Sequence, residues 1–247
     1  MTDLARIALH DVEIPSAPGG SPRLRGVLGV PEGPGPWPGV VLLHEAFGID
    51  GVMRRQVQRT AATGYLALMP DLFSDGGARS ALVPTFRAVA AGEGRPFADV
   101  EAARTHLAAM PGCTGRLGVL GSSVGGGLAL HVAARGFDAA AVFYARLPAD
   151  PHTALLGACP VVAGYGGADP GLRGAAAELT TVLTRLGVAH DVREYPGAGH
   201  GFLHDAPVGP RPLRPVLRNL LRIRPDASAA ADTWARTDAW FARHLPG

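Results

Sequence analysis

Continuous apolar segments alternate with amphipathic segments along most of the chain. Apolar runs such as 39–44 and 65–69 are typical of strands that are buried on both faces of a sheet. Between such runs, apolar residues recur with helical spacing, as in 97–109. Strands that alternate with helices predict right-handed crossovers, and therefore an α/β fold with a mainly parallel sheet of about eight strands and helices on both faces.

The individual elements follow from these runs and from the glycines and prolines between them. The predicted strands cover 7–13, 23–30, 39–44, 65–69, 116–121, 139–144, 160–165 and 190–195, and the first two are expected to be antiparallel. The predicted helices cover 50–63, 97–109, 123–135, 172–186 and 228–245, with a short helix near 83–91. Because no internal repeat or linker is visible, we predict a single domain over 1–247, with an irregular insertion at about 203–226 before the C-terminal helix at 228–245.

Composition narrows the possible functions. Apolar residues make up 47% of the 247 residues, which is enough for a large core. The formal net charge of +2 argues against a protein that binds nucleic acid by neutralising phosphates. The two cysteines, Cys113 and Cys159, form no disulfide framework and are interpreted as reduced core thiols. Together with the absence of a signal-peptide pattern and of a membrane-length apolar run, this predicts a soluble cytoplasmic protein, either a monomer or a homodimer.

The segment 210–224 is amphipathic and leaves two interpretations open. Leu213, Leu217, Leu220 and Leu221 share one side, while Arg214, Arg218 and Arg222 recur on another. Such a helix could lie on a membrane surface. Since it is short and interrupted by prolines, we favour a solvated packing helix beside the site or an interface, and no membrane partner.

One glycine-rich stretch, 117–127, carries the first sign of chemistry. It runs from an apolar strand into a G-x-S-x-G pattern centred on Ser123, which is how a nucleophile elbow is encoded. Gly121 and Gly125 are required because a side chain at either would clash with the neighbouring strand and helix. The same pattern also occurs in ordinary strand-to-helix turns, so the partners of Ser123 decide between the two interpretations.

Two such partners follow in the expected order. Asp169 follows the strand at 160–165, and His200 follows the strand at 190–195, so both lie at the edge of the sheet from which Ser123 emerges. Asp169 could instead cap the next helix, and His200 could be an ordinary loop histidine. The order of serine, acid and histidine, each just past a strand, favours a catalytic triad.

In the predicted reaction, His200 removes the proton of Ser123 as the hydroxyl attacks an ester carbonyl, and Asp169 orients the imidazole. The backbone N–H groups of Val124 and Ala46 would form the oxyanion hole. No group of residues has metal-ligand spacing and no phosphate-binding or dinucleotide-binding motif is present, so we predict neither a metal nor a cofactor.

Four motifs together resemble the dienelactone hydrolase family of α/β-hydrolases: 44–48 (HEAFG), the G-x-S-x-G-G elbow, Gly166-x-x-Asp169 and Gly199-His200-x-Phe202. The resemblance extends to about residue 204 and implies an α/β-hydrolase fold. It also implies cleavage of a small ester or lactone. The best-known members open the ring of dienelactone to give maleylacetate, using a cysteine nucleophile that a glutamate of the H-E-x-x-G segment helps to ionise.

The sequence departs from that family pattern at two positions. The nucleophile is Ser123, which leaves Glu45 without the thiol-activating role. His204 occupies the position at which those members carry a carboxylate-binding arginine; Arg79 and Arg87 are the candidates for a second such arginine.

The sequence allows more than one role for some side chains near the predicted triad. Glu45 could hold the oxyanion loop, contact substrate or orient water, or it could be purely structural. Tyr144 could line the pocket or pack in the core. We predict a substrate pocket formed by Glu45, Phe47, Tyr144, Phe202 and His204.

The sequence therefore predicts a serine hydrolase that acts on a small-molecule ester or lactone through an acyl-enzyme. An acyltransferase or a peptidase would use the same triad. A non-catalytic small-ligand-binding homologue is the alternative from another class.

Overall fold

A single eight-stranded sheet organises the chain in a computed structural model that describes residues 7–209, 212, 214–220 and 222–247. In chain order the strands are β1 (Leu9–Ile14), β2 (Leu24–Gly29), β3 (Trp37–Leu43), β4 (Leu66–Pro70), β5 (Cys113–Ser122), β6 (Ala139–Phe143), β7 (Val161–Gly166) and β8 (His190–Tyr195). Their order across the sheet is β1-β2-β4-β3-β5-β6-β7-β8. β2 pairs antiparallel with both β1 and β4, and every other pair is parallel.

Helices connect the parallel strands. They are α1 (Gly51–Ala62), α2 (Gly77–Ala91), α3 (Arg95–Ala108), α4 (Val124–Val132), α5 (Pro151–Ala154), α6 (Ala175–Arg185), α7 (Arg214–Leu220) and α8 (Ala227–His244). The mainly parallel sheet of eight strands with its helices confirms the predicted fold class, an α/β-hydrolase fold. Strands β3, β4, β6 and β7 are buried almost throughout, as their continuous apolar runs predicted.

The segment after β4 differs from the prediction. A short helix was expected near 83–91, but α2 begins six residues earlier, at Gly77, and continues through Pro84. Proline in a helix removes one backbone hydrogen bond and usually ends or kinks the helix, which is why the sequence suggested a later start. Arg79 and Arg87 lie exposed on this helix.

The segment at 203–226 contains α7 and two backbone contacts with the loop that follows β8. The N–H groups of Arg224 and Asp226 donate to the carbonyls of His200 and Phe202, at 3.3 and 3.0 Å. The apolar side predicted for 210–224 consists of Leu213, Leu217, Leu220 and Leu221. The side chains of these leucines and of Arg218 lie outside the described part of the chain.

Cys159 is buried and Cys113 is half-buried, and both are free thiols. Among the residues that the structure describes, no helix is both long enough and apolar enough to cross a membrane.

Candidate active site

Ser123 occupies a sharp turn between β5 and α4. Its backbone has φ 55° and ψ −118°, a conformation that non-glycine residues rarely adopt, and its N–H donates to the carbonyl of Phe143 at 3.0 Å. A Cβ at Gly121 would collide with the Gly125 carbonyl, and a Cβ at Gly125 would collide with the Leu43 carbonyl. Both glycines are therefore required sterically, as the pattern predicted, and the turn is a nucleophile elbow in its geometry.

The structure brings Ser123, His200 and Asp169 into one hydrogen-bonded chain. Nε2 of His200 lies 3.0 Å from Ser123 Oγ, and Nδ1 lies 2.6 Å from Asp169 Oδ2. A carboxylate can only accept, so Nδ1 carries the proton and Nε2 is left free to accept from the serine hydroxyl. Asp169 is buried, whereas the His200 side chain is 22% exposed. The three side chains are thus hydrogen-bonded in the order carboxylate, imidazole, hydroxyl.

The second carboxylate oxygen of Asp169 also has a partner. Oδ1 accepts the N–H of Gly171 at 2.8 Å, which fixes the carboxyl plane. This contact closes a loop turn and does not cap a helix, because α6 begins at Ala175 with Gly174 as its N-cap. The helix-capping interpretation of Asp169 was therefore wrong.

The backbone after β3 faces the elbow. The Glu45 carbonyl accepts from Nδ1 of His44 at 2.8 Å and from the Gly48 N–H at 3.1 Å. Because the C=O and N–H of a trans peptide point in opposite directions, these bonds direct the Ala46 N–H away from the carbonyl's partners. Within the described residues neither the Ala46 N–H nor the Val124 N–H has an acceptor, so both are free to bind an oxyanion.

His44 donates a hydrogen bond to that peptide, and its other hydrogen bond shows which ring nitrogen carries the proton. Its Nε2 accepts the Leu72 N–H at 3.0 Å, so Nδ1 carries the proton that is donated to Glu45. The ring is fully buried, and burial lowers the pKa of His44, which keeps it neutral. Sequence reasoning did not assign His44 a role; its place directly before Glu45, at the end of β3, was the available signal.

Glu45 is buried against two side chains from distant parts of the sequence. Tyr144 Oη donates to Glu45 Oε1 at 2.6 Å. Nε2 of His204 lies 3.0 Å from Oε1 and 2.9 Å from Oε2. Tyr144 also has a positive φ of 38°, and its ring meets the His200 ring edge-on at a centroid distance of 5.0 Å.

The charges in this group are mutually dependent. Burial acts to raise the pKa of Glu45, but the charge and hydrogen bond of His204, together with the Tyr144 hydroxyl, outweigh it and lower that pKa. Burial acts to lower the pKa of His204, and Glu45 reverses this, so the pKa of His204 is raised. Burial and the nearby Glu45 raise the pKa of Tyr144 well above its usual value, so the phenol stays protonated and donates.

The five predicted pocket residues differ in accessibility. Phe47 is half-exposed, whereas Glu45, Tyr144, Phe202 and His204 are each 5% exposed or less. Phe202 packs against the Tyr144 ring at 5.3 Å. These four side chains are therefore buried rather than on the surface, and the Tyr144 ring among them packs against His200.

One arginine at this edge was missed by sequence reasoning. Arg146 follows β6 by three residues and is exposed. A guanidinium nitrogen of Arg146 lies 3.9 Å from where a Cβ on Gly171 would be, and Asp169 Oδ1 lies 3.4 Å from the same point. Its position just past a strand was the signal, the same one that identified Asp169.

Within the part of the chain that the structure describes, no three histidine, cysteine, aspartate or glutamate side chains are arranged to hold a metal ion.

Comparisons with known proteins show similarity over most of the chain. A model of the dienelactone hydrolase family matches residues 24–245. A Methylorubrum extorquens protein, provisionally named a carboxymethylenebutenolidase, is 29% identical over 262 residues, covering 98% of this chain and 84% of its own length. A carboxymethylenebutenolidase of Pseudomonas putida is 29% identical over 196 residues, covering 70% of this chain and 78% of its own.

A solved structure shows the same fold. It comes from Klebsiella pneumoniae, is provisionally described as a dienelactone hydrolase, and superposes with a TM-score of 0.75 at 24% identity. The match covers 96% of this chain and 99% of that one.

Proposed function

Because the chain belongs to the dienelactone hydrolase family, we propose that it is a serine hydrolase that cleaves a small carboxylic ester or lactone through an acyl-enzyme. The observation that carries the proposal is the hydrogen-bonded chain from Ser123 through His200 to Asp169. A serine hydroxyl at its free pKa is a weak nucleophile, and a base within hydrogen-bond reach is what activates it.

The reaction takes place in two stages. Ser123 Oγ attacks the substrate carbonyl carbon while His200 Nε2 accepts the hydroxyl proton. The tetrahedral oxyanion is bound by the N–H groups of Ala46 and Val124, and its collapse passes the proton from His200 to the leaving alkoxide. Water then attacks the acyl-enzyme with His200 as base, which releases the acid and restores the serine.

The preference between a simple ester and an anionic lactone depends on a cation near the site. His204 cannot bind a substrate carboxylate while it is buried and paired with Glu45. Arg146 borders the Asp169 loop, whereas Arg79 and Arg87 lie exposed on α2. An uncharged short-chain ester requires no such cation, so it is the substrate class that we propose.

Acyl transfer and peptide-bond cleavage use the same triad and differ in the acceptor or the leaving group. A non-catalytic ligand-binding protein is distinguished by the state of the serine. A fluorophosphonate probe labels an activated serine, so folded wild-type protein should be labelled at Ser123 and Ser123→Ala should not. Wild-type protein that remains folded and unlabelled would contradict the proposal.

The substrate class is tested by comparing short-chain nitrophenyl esters with dienelactone, using wild type and Ser123→Ala. We expect turnover of the simple esters by wild type and loss of about 10⁴-fold or more in kcat/KM for the variant. A clear preference for dienelactone would instead indicate an arginine clamp. Arg146→Ala, Arg79→Ala and Arg87→Ala would then identify the arginine responsible.

A further inference from the structure

We propose that Glu45, His204 and Tyr144 form a buried positioning cluster, held by an ion pair between Glu45 and His204, that fixes the Ala46 N–H and the His200 ring for catalysis. The inference rests on the function proposed above. It assigns positioning roles, not catalytic ones, since none of the three side chains is placed to touch a reacting atom.

The geometry of Glu45 argues against a direct role in chemistry. Three hydrogen-bond distances of 2.6 to 3.0 Å join its two oxygens to Tyr144 and His204. The residue is 5% exposed. The Tyr144 hydroxyl and the His204 Nε2–H occupy part of its acceptor capacity, and its burial leaves little access for a substrate or a water molecule.

The same residue is attached to the oxyanion site at its other end. Its carbonyl is held by His44 and Gly48, and its side chain is held by Tyr144 and His204. With both ends fixed, the plane of the Glu45–Ala46 peptide has little freedom to rotate. An oxyanion donor must point at a position that is occupied only in the transition state, so a small rotation of this peptide reduces the rate.

Tyr144 connects the cluster to the base. Its ring packs edge-on against His200 while its hydroxyl is held by Glu45. The positive φ of Tyr144 is a strained conformation that the surrounding structure maintains, as is common beside functional sites. The hydroxyl bond to Glu45 therefore restrains a ring that in turn restrains His200.

The cluster requires a charge on each partner. A buried carboxylate without a compensating cation is costly, and protonated His204, which contacts Glu45 directly, supplies that cation. The charged or titratable groups around the pair are His44, Asp50, Tyr144, His200 and Asp205. Asp50 and Asp205 also favour protonated His204, although Asp205 is itself bound by Arg55 at 2.5 and 2.6 Å.

The sign of the resulting pH dependence follows from these contacts. Since the pKa of His204 is raised, the ion pair persists above the ordinary titration range of histidine and is lost as the pH rises through the raised value. We therefore expect kcat/KM of the wild type to fall on the alkaline side, as His204 loses its proton.

The experiment measures kcat, KM and the pH profile for a short-chain nitrophenyl ester with His204→Gln, Glu45→Gln, the double variant and Tyr144→Phe. Each single change at the ion pair should reduce kcat by about 10- to 100-fold, change KM by less than about threefold and abolish the alkaline decrease. The double variant carries no charge at positions 45 and 204 and should be no less active than Glu45→Gln. Tyr144→Phe keeps the ring contact with His200, so its kcat should fall by about 10-fold with the alkaline decrease retained.

Two matched controls change buried side chains away from the cluster. His131→Gln replaces a buried histidine of α4 whose Nε2 has no partner among the described residues. Tyr165→Phe removes a buried hydroxyl that likewise lacks one. Both should keep the wild-type profile, and thermal unfolding verifies that every variant is folded.

The outcomes separate this inference from the proposed function. Folded His204→Gln and Glu45→Gln proteins with wild-type kcat and a wild-type alkaline limb would overturn the positioning role while leaving the serine hydrolase intact. A folded wild type that neither turns over esters nor reacts with fluorophosphonate would overturn both.

Discussion

Each carboxylate oxygen of Asp169 accepts from a different N–H donor, so replacing either oxygen with an amide nitrogen should disrupt one of the two contacts. Oδ2 lies 2.6 Å from His200 Nδ1 and Oδ1 accepts from the Gly171 N–H at 2.8 Å. In Asp169→Asn, whichever position the amide nitrogen takes, it faces another donor. We expect kcat to fall by about 10⁴-fold, as when a serine triad loses the correct imidazole tautomer, with little change in Tm.

The control for that prediction is Asp150→Asn. Asp150 also accepts a backbone N–H, that of Thr153 at 3.1 Å, but it caps the short helix α5. Its substitution should leave kcat unchanged. Equal loss of activity in the two variants would show that the effect of Asp169→Asn is not specific to the triad.

The ion pair of Glu45 and His204 should also affect stability in a pH-dependent way. Because the pKa of His204 is raised on folding, its contribution is complete below the unfolded-state value of about 6.5 and declines as the pH rises through the folded value. Because the pKa of Glu45 is lowered, its contribution is lost only in acid, as the pH falls through the folded value. Breaking a buried pair costs about 3–5 kcal/mol.

Urea unfolding of wild type and His204→Gln at a series of pH values measures this directly. The difference in unfolding free energy should be largest at mildly acidic pH and should shrink in alkaline solution. A difference that stays constant with pH would contradict the ion pair.

What the sequence could predict at this scale depended on local context. Ser123, Asp169 and His200 each follow a recognisable strand, so their order alone suggested that they meet. Glu45 and His204 are 159 positions apart, and their pairing depends on the path of the chain between them. Sequence reasoning therefore grouped Glu45, Tyr144 and His204 at one edge of the sheet. It gave no reason to expect that their side chains form hydrogen bonds with one another.

At the scale of elements, the loop after β8 must carry His200 to Ser123. Its backbone packs against the segment after α7: a Cβ on Gly199 would collide with the carbonyl of Arg222. Gly199→Ala should therefore displace the loop or the segment, lowering stability by about 1–3 kcal/mol and reducing kcat. Thermal unfolding and ester hydrolysis measure the two effects.

Gly197 provides the matched comparison two residues away. A Cβ there would meet nothing within 4 Å. Gly197→Ala should leave both stability and kcat close to wild type. If Gly199→Ala behaved in the same way, the segment after α7 would not hold the histidine loop.

The elements that were hardest to predict are those with the weakest periodicity. The β strands were recognisable because burial on both faces requires continuous apolar runs. α2 exposes two large apolar side chains, Val83 at 55% and Phe86 at 45%, and contains Pro84 between them. Its sequence pattern is therefore typical neither of a core helix nor of a loop. Local propensity identified a helix but could not locate its start.

At the scale of the whole molecule, the order of strands explains why the histidine loop needs support. Ser123 follows β5 and His200 follows β8, and β6 and β7 lie between them in the sheet. Neighbouring strands are about 4.8 Å apart, so the two strand ends are separated by roughly 14 Å. The loop after Tyr195 begins with a turn, in which the Ala198 N–H donates to the Tyr195 carbonyl at 3.1 Å, and it then brings the imidazole of His200 to Ser123.

The first crossover helix and the last helix are joined on one side of the molecule by a single arginine. Arg59 of α1 donates to both carboxylate oxygens of Asp238 on α8, at 3.0 and 2.7 Å. Its guanidinium also lies 4.1 Å from the centre of the Trp234 ring. A bidentate pair that also stacks on an indole is worth more than an isolated surface ion pair.

Arg59→Ala should therefore lower the free energy of unfolding by about 1–2 kcal/mol, which corresponds to a decrease of roughly 2–8 °C in Tm for a chain of this size. Arg54→Ala is the control on the same helix, because Arg54 makes one hydrogen bond to an Asp11 side chain that is 76% exposed. That change should cost less than about 0.5 kcal/mol. Since neither arginine contacts the candidate site, kcat for a short-chain ester should be unchanged in both variants. Equal Tm shifts in the two would mean that the contact between α1 and α8 adds nothing beyond an ordinary surface charge.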